Sequence, residues 1–236
     1  MSLKLRITID GSEVTASTGS TILEAADAAG IYIPRLCSHK ELCAYGACRI
    51  CTVLVNGRPQ AACTTPAVDG MVVESDVESL HNHRRSLIEM LFSEGNHYCM
   101  FCERSGSCEL QALGYRFGMI VPRHTYQFPD RDVDASHPDV MIDRNRCVLC
   151  ARCVRASKQV DGTHAFQFVG RGKNRRIGVN AAAGLAGTRL KVEDKAAAIC
   201  PVGAIIKKRT AFTEPVGRRL YDKKPIGSDI EAGASA

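Results

Sequence analysis

The sequence predicts an α+β protein in which small sheets and short helices carry three separate groups of cysteines. Three observations point there. Apolar and polar residues alternate near the N-terminus, the period of a half-buried strand. Thr21-x2-Glu24 and Ser75-x2-Glu78 have the spacing of helix-starting capping boxes. The twelve cysteines fall in tight groups rather than evenly.

At 236 residues the chain has room for one large domain or two to three small ones. No apolar run reaches the ~18 residues of a membrane span, and MSLKLRITID lacks the apolar core of a signal peptide. The expectation is therefore a cytoplasmic chain with reduced thiols, whose close-set cysteines bind metal rather than form disulfides. Net charge is +6. The basic stretches RGKNRR (171–176) and KKR (207–209) are short, aromatics are 6% and there is no Trp, which argues against nucleic acid.

The elements follow in order. Leu3, Leu5, Ile7 and Ile9 alternate as a strand, Asp10-Gly11 turns it, and residues 13–16 return. An Ala-rich helix runs from Thr21 to Gly30. Residues 51–55 form a strand, Asn56-Gly57 a second hairpin turn, residues 60–63 the return, and 71–75 a further strand. Val77, Leu80, Leu87, Ile88 and Leu91 follow helical spacing up to Gly95. A cysteine-bearing stretch, 97–108, leads into the short helix CELQALGYRF. Short strands are expected near 165–169 and 175–179, with cysteine-bearing helices on either side. The organisation expected is a first domain at 1–76, a helical segment at 77–120, a linker at 121–139 with three prolines, a second domain at 140–208 and a docking tail at 209–236. No GxGxxG or P-loop motif offers a nucleotide site.

The cysteine spacing carries the chemistry. Cys147-x2-Cys150-x2-Cys153 with the remote Cys200-Pro201 is the ferredoxin-type pattern for a [4Fe–4S] cluster. Ser157 stands where a two-cluster ferredoxin would place another cysteine, which argues for one cluster here. Cys99-x2-Cys102-x5-Cys108 lacks a fourth ligand. His97 is the favoured candidate, because imidazole ligates iron, with His81, His83 and His124 as others. The first group allows two sets: Cys43, Cys48, Cys51 and Cys63 in plant-ferredoxin spacing, or Cys37, Cys48, Cys51 and Cys63. Either holds a [2Fe–2S] cluster, and the order of sheet and helix fits a ferredoxin-like β-grasp.

IPRLCSHKELCAYGACRICTV, EGNHYCMFCERSGSCELQALGY, CVLCARCVRA and CPVGAI together resemble the N-terminal region of the largest iron–sulfur subunit of respiratory complex I, modules that also occur in iron-only hydrogenases. As a short chain with the tail TEPVGRRLYDKKPIG, the sequence is similar to the small iron–sulfur diaphorase subunit of NAD-reducing, bidirectional nickel–iron hydrogenases. The resemblance implies an N-terminal β-grasp [2Fe–2S] domain, a middle helical His/Cys3 segment and a C-terminal ferredoxin-like [4Fe–4S] domain. It implies Cys37, Cys48, Cys51 and Cys63 for the first cluster, leaving Cys43 spare. His97, Cys99, Cys102 and Cys108 would then hold the second cluster, and Cys147, Cys150, Cys153 and Cys200 the third. The wider family spaces its histidine as H-x3-C, whereas here one residue separates His97 from Cys99.

The function so implied is electron relay with no catalytic residue in this chain. Partners would be the hydrogenase small and large subunits, with Ni–Fe, and a diaphorase subunit with FMN and NAD, in a cytoplasmic hetero-oligomer. The rival expectations are the equivalent subunit of an NAD-dependent formate dehydrogenase or complex I-like assembly, and a zinc-stapled interaction protein. Replacing Cys37 and Cys43 separately by Ser distinguishes the two ligand sets. The expected outcome is loss of the [2Fe–2S] EPR signal in Cys37→Ser and its retention in Cys43→Ser; the reverse would assign Cys43.

Overall fold

The computed structural model describes residues 4–233. Leu3, expected to open the first strand, and residues 234–236 of the expected tail lie outside the described residues.

The first sheet is built from strongly local signals. Strands β1 (Lys4–Ile9) and β2 (Ser12–Ser17) pair antiparallel from Lys4↔Ser17 to Ile9↔Ser12. Asp10 and Gly11 join them with φ of 47° and 81°, the left-handed pair a two-residue hairpin requires. Helix α1 (Ile22–Ala28) begins with a complete capping box: Glu24 N donates to Thr21 Oγ1 at 3.2 Å, and Thr21 N to Glu24 Oε2 at 2.8 Å. Strands β3 (Thr52–Val55) and β4 (Arg58–Ala61) turn through Asn56-Gly57. Strand β5 (Val72–Glu74) pairs antiparallel with β3 and parallel with β1, giving the order β2-β1-β5-β3-β4. Alternation along β1 turns Ile7 and Ile9 inward, where they join Ile22, Leu23, Val53 and Val73 in one buried core that includes Cys51 and Cys63. This is the β-grasp arrangement expected.

Helix α2 (Glu78–Glu94) follows, but Ser75 does not cap it. Val77 occupies the N-cap without a side-chain bond, and the Ser75 hydroxyl instead accepts from Arg84 Nη2 at 3.0 Å. Arg84 is 1% exposed. It donates to the carbonyls of Ile50, Thr52 and Ser75 at 3.1, 2.9 and 2.8 Å, so α2 is bolted to the backbone on both sides of Cys51. Burial pushes its pKa down to about 10.

Helix α3 (Glu109–Arg116) starts directly after Cys108. Strand β6 (Val133–Asp134) falls within the stretch expected to be linker. It joins β7 (Val140–Asp143) and β10 (Ile205–Lys207) in a three-stranded antiparallel sheet ordered β10-β7-β6. Between them lie α4 (Arg152–Gln159), the hairpin β8 (Phe166–Val169) with β9 (Arg176–Val179), and α5 (Lys195–Ala198). A last short helix, α6 (Ser228–Gly233), lies in the expected tail. Val140, Ile142, Phe166, Ile177 and Leu185 form a second apolar core. Leu36, Ile50, Ile88, Leu110 and Leu113 form a third, which joins α2 and α3 to the loops of the first sheet.

Replacing Arg84 by Ala leaves three buried carbonyls without donors. It should cost at least about 3 kcal/mol, at about 1–3 kcal/mol per orphaned group. Denaturant unfolding of the full chain measures this, and a loss under about 1 kcal/mol would deny the bolt its importance.

Candidate metal centres

The first centre grows out of the loop after α1 and the ends of β3 and β4. Cys37, Cys51 and Cys63 are buried, Cys48 is half-buried and Cys43 is exposed. The four inner thiols touch. Cys37 bonds to Cys48 and Cys63, and Cys51 bonds to Cys63. Cys37 N also donates to Cys48 Sγ at 3.4 Å. These contacts, Cys48 first, push the Cys37 thiol far down, while Cys37 and then Cys51 push Cys63 up. Arg49, between Cys48 and Cys51, is left-handed at φ 59°, which folds the loop back so that both thiols face inward. Cys43 takes no part in this cluster of thiols; its backbone is held by Gln159 Oε1 and by Arg155.

The second stretch places Cys99 at the start of a 3-10 turn, Cys102 at its end and Cys108 at the N-cap of α3. The Cys99 and Cys102 thiols lie within electrostatic reach of Cys108, and burial pushes the Cys108 thiol up to about 12. His97 is half-buried, with its Nε2 out of contact with solvent and free of any hydrogen-bond partner. Its ring meets Phe92 edge-on, with centroids 5.3 Å apart. Burial, reinforced by Arg146, lowers its pKa to about 4, so the imidazole is neutral at neutral pH and keeps a lone pair for a metal. No cysteine is among the charges that influence it, but Arg146, one of its neighbours, donates to Cys102 Sγ at 3.8 Å. The other histidines differ: His81 pairs with Asp76 at 2.8 Å, and His83 and His124 are exposed.

The third centre is a small apolar cavity of about 10 Å³, bordered by Cys147, Cys150, Cys153 and Cys200 and walled by Ile142, Ile177 and Ile205. Leu149 and Ala151, on either side of Cys150, are left-handed at φ 51° and 60°. Neither is glycine, so the loop is strained by roughly 1–2 kcal/mol per residue to turn its sulfurs inward. Burial raises the thiols, Cys147 to about 11 and Cys150 and Cys153 further. Ligand binding here must therefore displace protons.

The second and third centres share a seam. Glu109 N, just past Cys108, donates to Pro201 O at 2.9 Å. A Cβ on Gly203 would lie 2.8 Å from Cys102 Sγ, so only glycine lets the CPVG loop pass the second centre. Spacing did not reveal this glycine, nor Arg146, Arg152 and Arg155, which stand among the cysteines of the third group. A strong base inside an apolar cysteine motif was the available signal.

The donor sets fit clusters. Four thiols meet at the first centre, an orphaned imidazole nitrogen lies two residues before Cys99 at the second, and four cysteines border a small apolar cavity at the third. Sulfur gathered in this way serves one-electron chemistry, and the fold and its centres together define an iron–sulfur electron carrier.

Comparison with known proteins narrows the class. The family model of a 2Fe-2S iron-sulfur cluster binding domain matches residues 2–78. The NADH-ubiquinone oxidoreductase-G iron-sulfur binding region matches 84–123. The ferredoxin-like domain of NADH-quinone oxidoreductase subunit 3 matches 137–206. The NAD-reducing hydrogenase HoxS subunit gamma of Cupriavidus necator is 42% identical over 95% of this chain and 96% of its own length. The mitochondrial NADH-ubiquinone oxidoreductase 78 kDa subunit of Candida albicans is 35% identical over 89% of the chain, which spans 29% of that larger protein. A crystal structure of NAD+-reducing [NiFe]-hydrogenase in the H2-reduced state contains a chain that superposes with a TM-score of 0.91 at 48% identity, covering 94% of each chain. The chain belongs to the family of gamma subunits of NAD-reducing hydrogenases.

Gly203→Ala should displace Cys102 and abolish or strongly weaken the second centre's EPR signal while the chain stays folded. Unchanged iron content and spectrum would show that the loop has room to spare.

Proposed function

We propose that this chain relays single electrons between a hydrogenase module and an FMN-containing, NAD-reducing diaphorase subunit, within an assembly that interconverts H2 + NAD+ and NADH + H+. The observation that carries this reading is near-full-length likeness to a hydrogenase gamma subunit and to a chain of an NAD+-reducing [NiFe]-hydrogenase. Cys37, Cys48, Cys51 and Cys63 are assigned to a [2Fe–2S] cluster. His97, Cys99, Cys102 and Cys108 are assigned to one [4Fe–4S] cluster, and Cys147, Cys150, Cys153 and Cys200 to another. The units are residues 1–76, 77–120 and 140–208, with 121–139 joining them and 209–236 as a docking tail.

The bound clusters supply reversible one-electron acceptance. The chain's own residues hold them, exclude water with three apolar cores and surround them with buried cations. No residue here acts as acid, base or nucleophile; FMN, NAD and nickel–iron belong to the partners, where the flavin joins one- and two-electron steps. A cytoplasmic hetero-oligomer suits a chain whose cysteines are all unpaired with one another.

Anaerobic purification of the chain with its partners should yield at least about ten irons and ten acid-labile sulfides per copy of this chain, with the partners' own metal adding to that count. Nickel should co-purify, and dithionite should elicit low-temperature EPR from [2Fe–2S] and [4Fe–4S] clusters. Molybdenum or tungsten in place of nickel would reassign the partner to a formate dehydrogenase. A colourless, zinc-filled protein would end the electron-transfer reading.

A further inference from the structure

Arg152 is the first residue of α4, between two cysteines assigned to the third centre, and is 3% exposed. Its Nη1 meets Glu109 Oε1 at 2.6 Å and its Nη2 meets Glu109 Oε2 at 2.7 Å. Nη2 also donates to the Ser38 carbonyl at 2.9 Å. Glu109 follows Cys108 of the second centre, and Ser38 follows Cys37 of the first. One guanidinium thus ties together chain segments from all three centres.

These bonds use three of the five N–H groups of the guanidinium and leave its Nε without a partner. The Nε–H is buried and meets no acceptor. Such orphans are rare in folded proteins. Arg84 and Arg155, also buried, direct their Nε–H to the carbonyls of Ile50 and Ala151. The sulfurs of Cys150 and Cys200 lie within electrostatic reach of the Arg152 guanidinium, and its backbone N–H bonds to Cys150.

We infer that Arg152 is the positioning residue of the third centre: its Nε–H donates to sulfur of the loaded site, while its bidentate grip on Glu109 and its bond to Ser38 hold the three centres in register. This rests on the assignment of Cys147, Cys150, Cys153 and Cys200 as cluster ligands. A fixed cation beside a site that gains negative charge on reduction favours the reduced form, and hydrogen bonds to cluster sulfur act the same way. Glu109, joined to that cation, opposes it. The two residues therefore bias the third centre in opposite directions, although both belong to one structural clamp.

The test is a potentiometric titration of the assembled complex, following the third centre's EPR signal in wild type, Arg152→Gln, Arg152→Lys and Glu109→Gln. Arg152→Gln is expected to lower the reduced-to-oxidised ratio at a fixed potential by about tenfold, which is about 59 mV for a one-electron couple. Glu109→Gln is expected to raise the ratio, and Arg152→Lys, which keeps the charge, to recover most of the loss. Should Arg152→Gln fail to load the cluster, Glu109→Gln and Arg152→Lys decide alone. A rise in the former with a small change in the latter supports the inference. Shifts of the same sign in Arg152→Gln and Glu109→Gln, or no shift in Glu109→Gln, would overturn it. Absence of the third-centre signal from wild type would instead overturn the ligand assignment.

Discussion

The fold depends on confining anionic sulfur. A loaded cluster brings thiolates and sulfides together in a medium that screens charge poorly, and several such centres sit in one small chain. Apolar packing alone cannot accommodate that charge. The chain answers with cations placed inside the protein, where ordinary domains have few. Arg84, Arg152 and Arg155 are buried, and each grips backbone at or next to a clustered cysteine.

These arginines do two kinds of work at once. Arg155 donates to the carbonyls of Cys37 and Cys43, drawing the loop of the first sheet onto α4. Arg84 ties α2 to the strand entry at Cys51. Arg152 is buried and Glu109 half-buried, and removing either member of the pair leaves the other's charge uncompensated. The same contacts that align the centres therefore also set the local field.

What the sequence revealed was local. Asp10-Gly11, Asn56-Gly57 and the Thr21–Glu24 box act within a few residues, and each formed the element expected. The helix expected after Ser75 also formed, but without its cap, because a buried arginine competed for the hydroxyl. Strands β7 and β10 went unread because each is a short apolar stretch beside a cysteine motif, and only their distant pairing makes them a sheet. Apolar residues such as Leu36, Ile50, Leu110 and Val202 are scattered along the chain, and only the fold brings them into one core. The cysteine groups were plain from spacing, yet spacing gave Cys37 and Cys43 equal standing. They differ in burial and in contact with Cys48 and Cys63, which no one-dimensional pattern records.

The bond between the peptide after Cys108 and the peptide after Cys200 bears on biogenesis. Neither loop attains its final path until the other has arrived, although one is made much later during translation. The path of the loop after Cys108 thus leans on residues made much later, whereas the hairpins of the N-terminal sheet close on their own neighbours. In order of synthesis, the sheet has its partners long before that seam does.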